Sequence, residues 1–203
     1  MSEINPVLTY ESSEWRTSSE AMTALAEGGD AITKLELDDC KCSEEIRVHK
    51  NVTFRWGNYD KVIAGDGTLD LKDWMQSVDV LGAHMRNLTL GFNTVGQITD
   101  NLQDISSRIN TVTIEGRAMI GSAFIGYLTV GILGFVKIYN AAEIGDLDVY
   151  GTVILYAKVG HIRLHAGGKI NNWTHQSNEI VMANIVCDEG RRPVLNEQGW
   201  ICG

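Results

Sequence analysis

Proline is nearly absent: two in 203 residues, Pro6 and Pro193, close to the two ends. Every residue between them can donate a backbone N–H, so nothing in the body forbids the central strands of a long sheet. Aromatic residues are also few, at 7%, so a core must be filled by aliphatic side chains. No apolar run approaches the roughly 18 residues that a membrane-spanning helix needs. The opening MSEINPVLTYESSEW has neither the basic start nor the apolar stretch of a secretory signal, which gives an expectation of synthesis and assembly in the cytosol. A basic face is lacking as well. Of 26 acids and 17 bases, eleven acids and three bases fall in residues 1–45, leaving fifteen and fourteen for the rest. A near-neutral body with an acidic amino-terminal arm, residues 1–16, speaks against nucleic acid or an anionic membrane as partner. It leaves docking of that arm on a basic partner as an expectation.

Four cysteines are too few for a disulfide framework. Cys40 and Cys42 are too close in sequence for an easy bond, and neither pair has zinc-ligand spacing. They are read as buried free thiols, with a Cys187–Cys202 disulfide as the alternative in an oxidising setting. No cofactor or metal is expected.

Glycine, by contrast, is abundant, at 21 residues, and it recurs in a phrase: IGYLTV, LGFVKI, IGDLDV and VGHIRL between residues 125 and 164. Alternation of aliphatic and other residues marks a strand with one buried face. NVTF at 51, TLDL at 68, NLTL at 87, TVTI at 111, YLTV at 127, DLDV at 146, HIRL at 161 and EIVM at 179 line up as one series. Their starts lie 17, 19, 24, 16, 19, 15 and 18 residues apart. Such a period fits one turn of a coil of short strands, with SVDVLG at 77, VGQI at 95, FVKI at 135 and TVILY at 152 on a second face. The expected fold is all-β: a single-stranded parallel β-helix of about eight turns, its glycines at the corners. Thr17 and Glu20 form a capping box before Ala21, Met22, Leu25 and Ala26, so a capping helix is expected over 17–27. The β-helix with its cap covers 17–186. QITDNLQDISSRI, residues 97–109, has helical spacing at Leu102, Ile105 and Ile109 and is expected to leave the coil. From Cys187 the rhythm is lost, and 187–203 is expected to be a cap or an oligomer contact.

The run EAMTALAEGGDAITKLELDDCKCSEEIRVHKNVTFRWGNYDKVIAGDGTLDLKD resembles the first turns of right-handed β-helix proteins of the pectin-lyase-like superfamily. Helix, GG, first strand, NVT strand and G-TLDL turn follow in the same order, and the likeness extends over roughly 18–185. The resemblance implies a right-handed coil. It leaves activity open, because the superfamily includes polysaccharide lyases and hydrolases, adhesins and phage virion proteins.

Stacking the aligned units places Thr89, Thr113, Thr129, Asp148 and Arg163 in one outward column and Asn87, Thr111, Tyr127, Asp146 and His161 in its neighbour. Asp148 should then meet Arg163, and Asp146 should meet His161. If the chain is a carbohydrate-active enzyme, Asp146, Asp148 and Arg163 are its site: the lyases with this architecture hold calcium on such aspartates. If it is not, these are cross-strand charge pairs in a solvated ladder. The hydrolases' repeated aspartates and HG element are not found, nor are GxSxG, a Walker glycine loop or HExxH. NVT at 51, NLT at 87 and NWT at 172 are read as strand residues rather than glycosylation sites. Trp56, Trp74 and Trp173 form a sugar platform if exposed and cover core if not.

The expectation is therefore a non-enzymatic structural protein of a tailed-phage virion: a capsid decoration, head-fibre or tail-fibre component. It is expected to be a homotrimer assembled in the host cytoplasm, with other virion proteins and a cell-surface polysaccharide as partners. A polysaccharide lyase or hydrolase is the alternative. A filament like those of bactofilins, whose repeats the glycine phrase resembles, is the third reading.

Overall fold

Inward-facing aliphatic side chains from successive strands stack directly on one another, and these stacks organise the whole chain. One runs Ile46, Val62, Leu88, Val112, Leu128, Leu147, Ile162 and Ile185, each paired in register with the next. All eight are buried. On the opposite wall Phe54, Val80, Ile98, Ile120, Ile138 and Leu155 do the same. Each fully buried aliphatic chain contributes about 1.5 to 3 kcal/mol relative to exposure.

The computed structural model describes residues 7–11, 34–38, 40–48, 51–65, 76–101, 105–171, 185–188, 190–197 and 199–203. Two sheets hold these strands. The eight-stranded sheet is made of β3 (Lys41–Val48), β5 (Asn58–Ala64), β7 (His84–Leu90), β9 (Ser107–Ile114), β11 (Ala123–Val130), β13 (Glu143–Val149), β15 (Lys158–Leu164) and β17 (Ile185–Cys187). The eleven-stranded sheet contains β1 (Val7–Glu11), β2 (Lys34–Asp38), β4 (Asn51–Arg55), β6 (Gln76–Leu81), β8 (Thr94–Thr99), β10 (Arg117–Ile120), β12 (Phe135–Ile138), β14 (Thr152–Leu155) and β16 (Lys169–Asn171). At its end lie β18 (Pro193–Asn196) and β19 (Gly199–Cys202). From β3 to β16 the chain alternates between the sheets, and every pairing is parallel. This is a parallel β-helix of about seven turns. At about 4.8 Å per turn it is a rod on the order of 30 to 35 Å long.

Of the series read as one face, NVTF lies in β4, on the other sheet from NLTL. Strands on both walls carry the same two-residue alternation, so the pattern alone does not say which wall a strand joins. TLDL at 68, EIVM at 179, the capping helix at 17–27, Trp74 and Trp173 lie outside the described residues. Within the stretch read as an acidic arm, Val7–Glu11 form β1 and pair in parallel with β2. The stretch 97–109 does not leave the coil as a whole: residues 97–99 belong to β8 and 107–109 to β9, and 102–104 lie outside the described residues. Ile109 is a buried strand residue, because strand alternation places it between Met85 and Ile125 in the core.

The cysteines are not free thiols: Cys187–Cys202 is the bond named above as the alternative, and only Cys40–Cys42 runs against the sequence expectation. Cys40 is bonded to Cys42, and Cys187 to Cys202. Cys40 stands just before β3, where the chain turns its corner, and the Cα atoms of that pair are only 5.3 Å apart. Cys187–Cys202, with Cα atoms 5.7 Å apart, ties the last strand of one sheet to the end of the other. By loop-closure entropy a bond spanning about 15 residues contributes roughly 3 kcal/mol, and the short Cys40–Cys42 loop far less. Strands β18 and β19 form an antiparallel hairpin on β16, and Trp200, opposite Ile170, is buried at the end of the core.

Candidate functional site

The outward faces of β7, β9, β11, β13 and β15 carry the two columns read from the sequence. Asn87, Thr111, Tyr127, Asp146 and His161 pair in order, as do Thr89, Thr113, Thr129, Asp148 and Arg163. The parallel register fixes this, because each outward residue lies directly over its counterpart one turn below. His161 Nδ1 lies 3.2 Å from Asp146 Oδ1, with both side chains exposed. This is an ordinary cross-strand pair, like Lys61 with Glu45 at 2.7 Å and Arg86 with Asp60 at 2.9 Å.

Asp148 is different. It points outward yet is only 7% exposed, because neighbours from β11, from β15 and from the residue just past β15 close over it. The Tyr127 hydroxyl, one turn below and in the adjacent column, reaches diagonally and donates a hydrogen bond to Asp148 Oδ2. Arg163 Nη1 lies 3.5 Å from Asp148 Oδ1. His165 Nε2 stands 3.8 Å from Asp148 Oδ2, while its Nδ1 is 2.7 Å from Asp188 Oδ2. The His165 ring is stacked on Tyr150, with centroids 3.8 Å apart and planes 3° from parallel. Asp188 follows directly on disulfide-bonded Cys187, so the cluster also fastens the carboxy-terminal cap to the rod.

The sequence reading brought together Asp148 with Arg163 and Asp146 with His161, and both pairs form. It missed His165, Tyr150 and Asp188. Tyr127 was placed in the right column, and the diagonal reach of a long side chain to the next column was the signal that could have linked it to Asp148. Nothing in the sequence links Asp188 to His165, since no repeat period connects two residues 23 apart across the loss of the strand rhythm. Asp146 and Asp148 do not converge: one serves His161, the other Tyr127, Arg163 and His165. Among the described residues no group of three or more His, Cys, Asp or Glu is placed to hold a metal ion.

Chemically, Asp148 is a carboxylate with both oxygens occupied, a hub that joins β11, β13 and β15. The Tyr127 hydroxyl is held above its ordinary value of 10.0, chiefly by the hydrogen bond to Asp148 and then by burial. A raised folded value means that this stabilisation is fully present below pH 10 and is lost as pH rises through the folded value. Tyr127→Phe is therefore expected to lose stability at neutral pH and to show a smaller further drop than the parent between pH 9 and pH 12. Urea unfolding across that range checks this, and an identical alkaline drop in both proteins contradicts it.

Trp56, between β4 and β5, is exposed and adopts a positive φ of 61°. On the bend of the eight-stranded sheet runs an open groove of about 750 Å³, lined by Lys41, Asn58, His84, Arg86, Arg108 and Asn110 among others. It continues past Arg108 into a second hollow of about 430 Å³ beside Phe124, Gly126 and Gly145. No protein family, curated protein or solved structure matches the chain.

Proposed function

We propose that the chain is a non-enzymatic structural rod of a tailed-phage virion, a capsid decoration, head-fibre or tail-fibre component. It assembles in the host cytoplasm as a homotrimer, joins other virion proteins through its ends and needs no cofactor. The observation that supports this reading is the aliphatic core of the described residues, stacked through about seven turns, with a disulfide-anchored hairpin at one end. Such a body transmits force without moving parts. The likeness of its first turns to β-helix proteins that include virion components points the same way. Two disulfides suit a particle that ends in an oxidising medium after lysis.

The enzyme reading asks Asp148 to be free for calcium or for a uronate. Its oxygens are already taken by Tyr127 and Arg163, which favours a bracing role. The filament reading asks for open ends, and the antiparallel hairpin with Pro193 on the edge strand disfavours growth from that end.

Light scattering on a sizing column across a concentration series tests the proposal. A stable mass about three times the 22.4 kDa chain is the expected result. A monomer at every concentration overturns the trimeric virion part, and long polymers replace it with the filament.

A further inference from the structure

Over its strands β10 to β16 the eleven-stranded sheet presents an outer face with more cations than acids. Register places Arg117 beside Phe135, and Phe135 beside Thr152 and then Lys169. The adjacent column is Met119, Lys137, Ile154 and Asn171. Across these outward positions of β10, β12, β14 and β16 stand three cations and no acid. Met119 and Phe135 are 42% and 41% exposed, and Leu133, in the turn leading into β12, is 72% exposed. Apolar side chains gathered in this way on a rigid face mark an interaction surface, and aromatic, Met and Arg residues are those enriched in such surfaces.

Just past the ends of β12 and β14, Tyr139 and Tyr156 stack on each other, with centroids 6.2 Å apart and planes 15° from parallel. Lys137 Nζ lies 4.9 Å from one ring centroid and 5.6 Å from the other. The Tyr139 hydroxyl donates to Met119 Sδ at 4.0 Å, so this pair is tied back to the face itself. What this face offers outward is cationic groups beside apolar side chains. Carboxylates would meet the former and aliphatic or aromatic side chains the latter.

We infer that this face docks an acidic polypeptide segment of a partner protein, one that intersperses glutamate or aspartate with apolar side chains. Charge complementarity selects the acids, and the Met119, Phe135 and Leu133 surface selects the apolar residues. A polyuronate would satisfy the cations and leave that apolar surface uncovered. The inference concerns the side of the rod rather than its ends and does not depend on the virion reading.

Biolayer interferometry on the full chain tests it, with a random copolymer of glutamate and tyrosine as probe and poly-glutamate and alginate as comparisons. The copolymer is expected to bind more tightly than either. Lys137→Glu and Phe135→Ser should each weaken it roughly tenfold or more, with circular dichroism unchanged. If Phe135→Ser does not fold, Arg117→Glu at the neighbouring exposed position takes its place. Absence of copolymer binding, equal binding of alginate or poly-glutamate, or insensitivity to these substitutions overturns the inference.

Discussion

Leu147→Ala will cost about 3 to 5 kcal/mol of stability, placing it among the most damaging single truncations of the core. Leu147 has 0% exposure and is stacked between Leu128 and Ile162. Its neighbours belong to strands held on both sides by parallel ladders, so the wall cannot collapse into the space left behind. The cost should therefore fall in the upper part of the range seen for such truncations. For a chain of this length that corresponds to a fall in Tm of roughly 6 to 20 °C. The position is internal, so turns on either side lose a packed neighbour, and a stack of repeats transmits stability only between neighbours. Hydrogen exchange should show protection falling most in β11, β13 and β15. Ile132→Ala, at a turn residue 78% exposed, should stay within about 0.5 kcal/mol of the parent. Equal effects from the two substitutions would mean that the aliphatic stack is not the core.

The second large effect is expected at the glycine of the repeated phrase. Gly126, Gly145 and Gly160 fall one above another on the bend of the eight-stranded sheet. A Cβ on Gly145 would lie 2.5 Å from the carbonyl oxygen of Gly126, and one on Gly160 would lie 2.6 Å from that of Gly145. Those obstacles are backbone, so no side chain can swing aside and the turns must separate. Gly145→Ala should cost about 3 kcal/mol, near the top of the usual range for overpacking. Gly167→Ala provides the contrast. Gly167 has φ +87° with nothing within 4 Å of its Cβ position, so only the backbone conformation is strained, at about 1 to 2 kcal/mol. Chemical denaturation of the two variants separates close approach from conformational strain. If Gly145→Ala proves the milder, the bend is looser than its geometry requires.

These residues also show where the sequence was legible. The phrase IGYLTV, IGDLDV, VGHIRL announced a coil because a backbone touching its own previous turn tolerates only glycine there, and the requirement recurs once per turn. The Asp148–Arg163 and Asp146–His161 neighbours followed from the same periodicity, since parallel register carries a residue onto its counterpart one turn on. NVTF was assigned to the wrong wall because both walls obey one alternation. Ile109 was taken for a helix position because three apolar residues over eight positions fit more than one period.

What the sequence determined by itself is what depends on nearest neighbours along the chain and on the repeat: an all-β coil, its aliphatic interior and the order of its outward columns. The glycines expected at corners, Gly126, Gly145 and Gly160, lie within β11, β13 and β15, where one turn's backbone touches the next. Tertiary structure alone decided what depends on distances between segments that no period connects. It turned Cys40 toward Cys42 at a corner and carried Asp188 to His165. It also closed Tyr127, Arg163 and His165 over Asp148, so that a carboxylate expected in a solvated ladder became a buried hub. Burial and ring orientation are properties of packed surfaces, and only the folded chain has them.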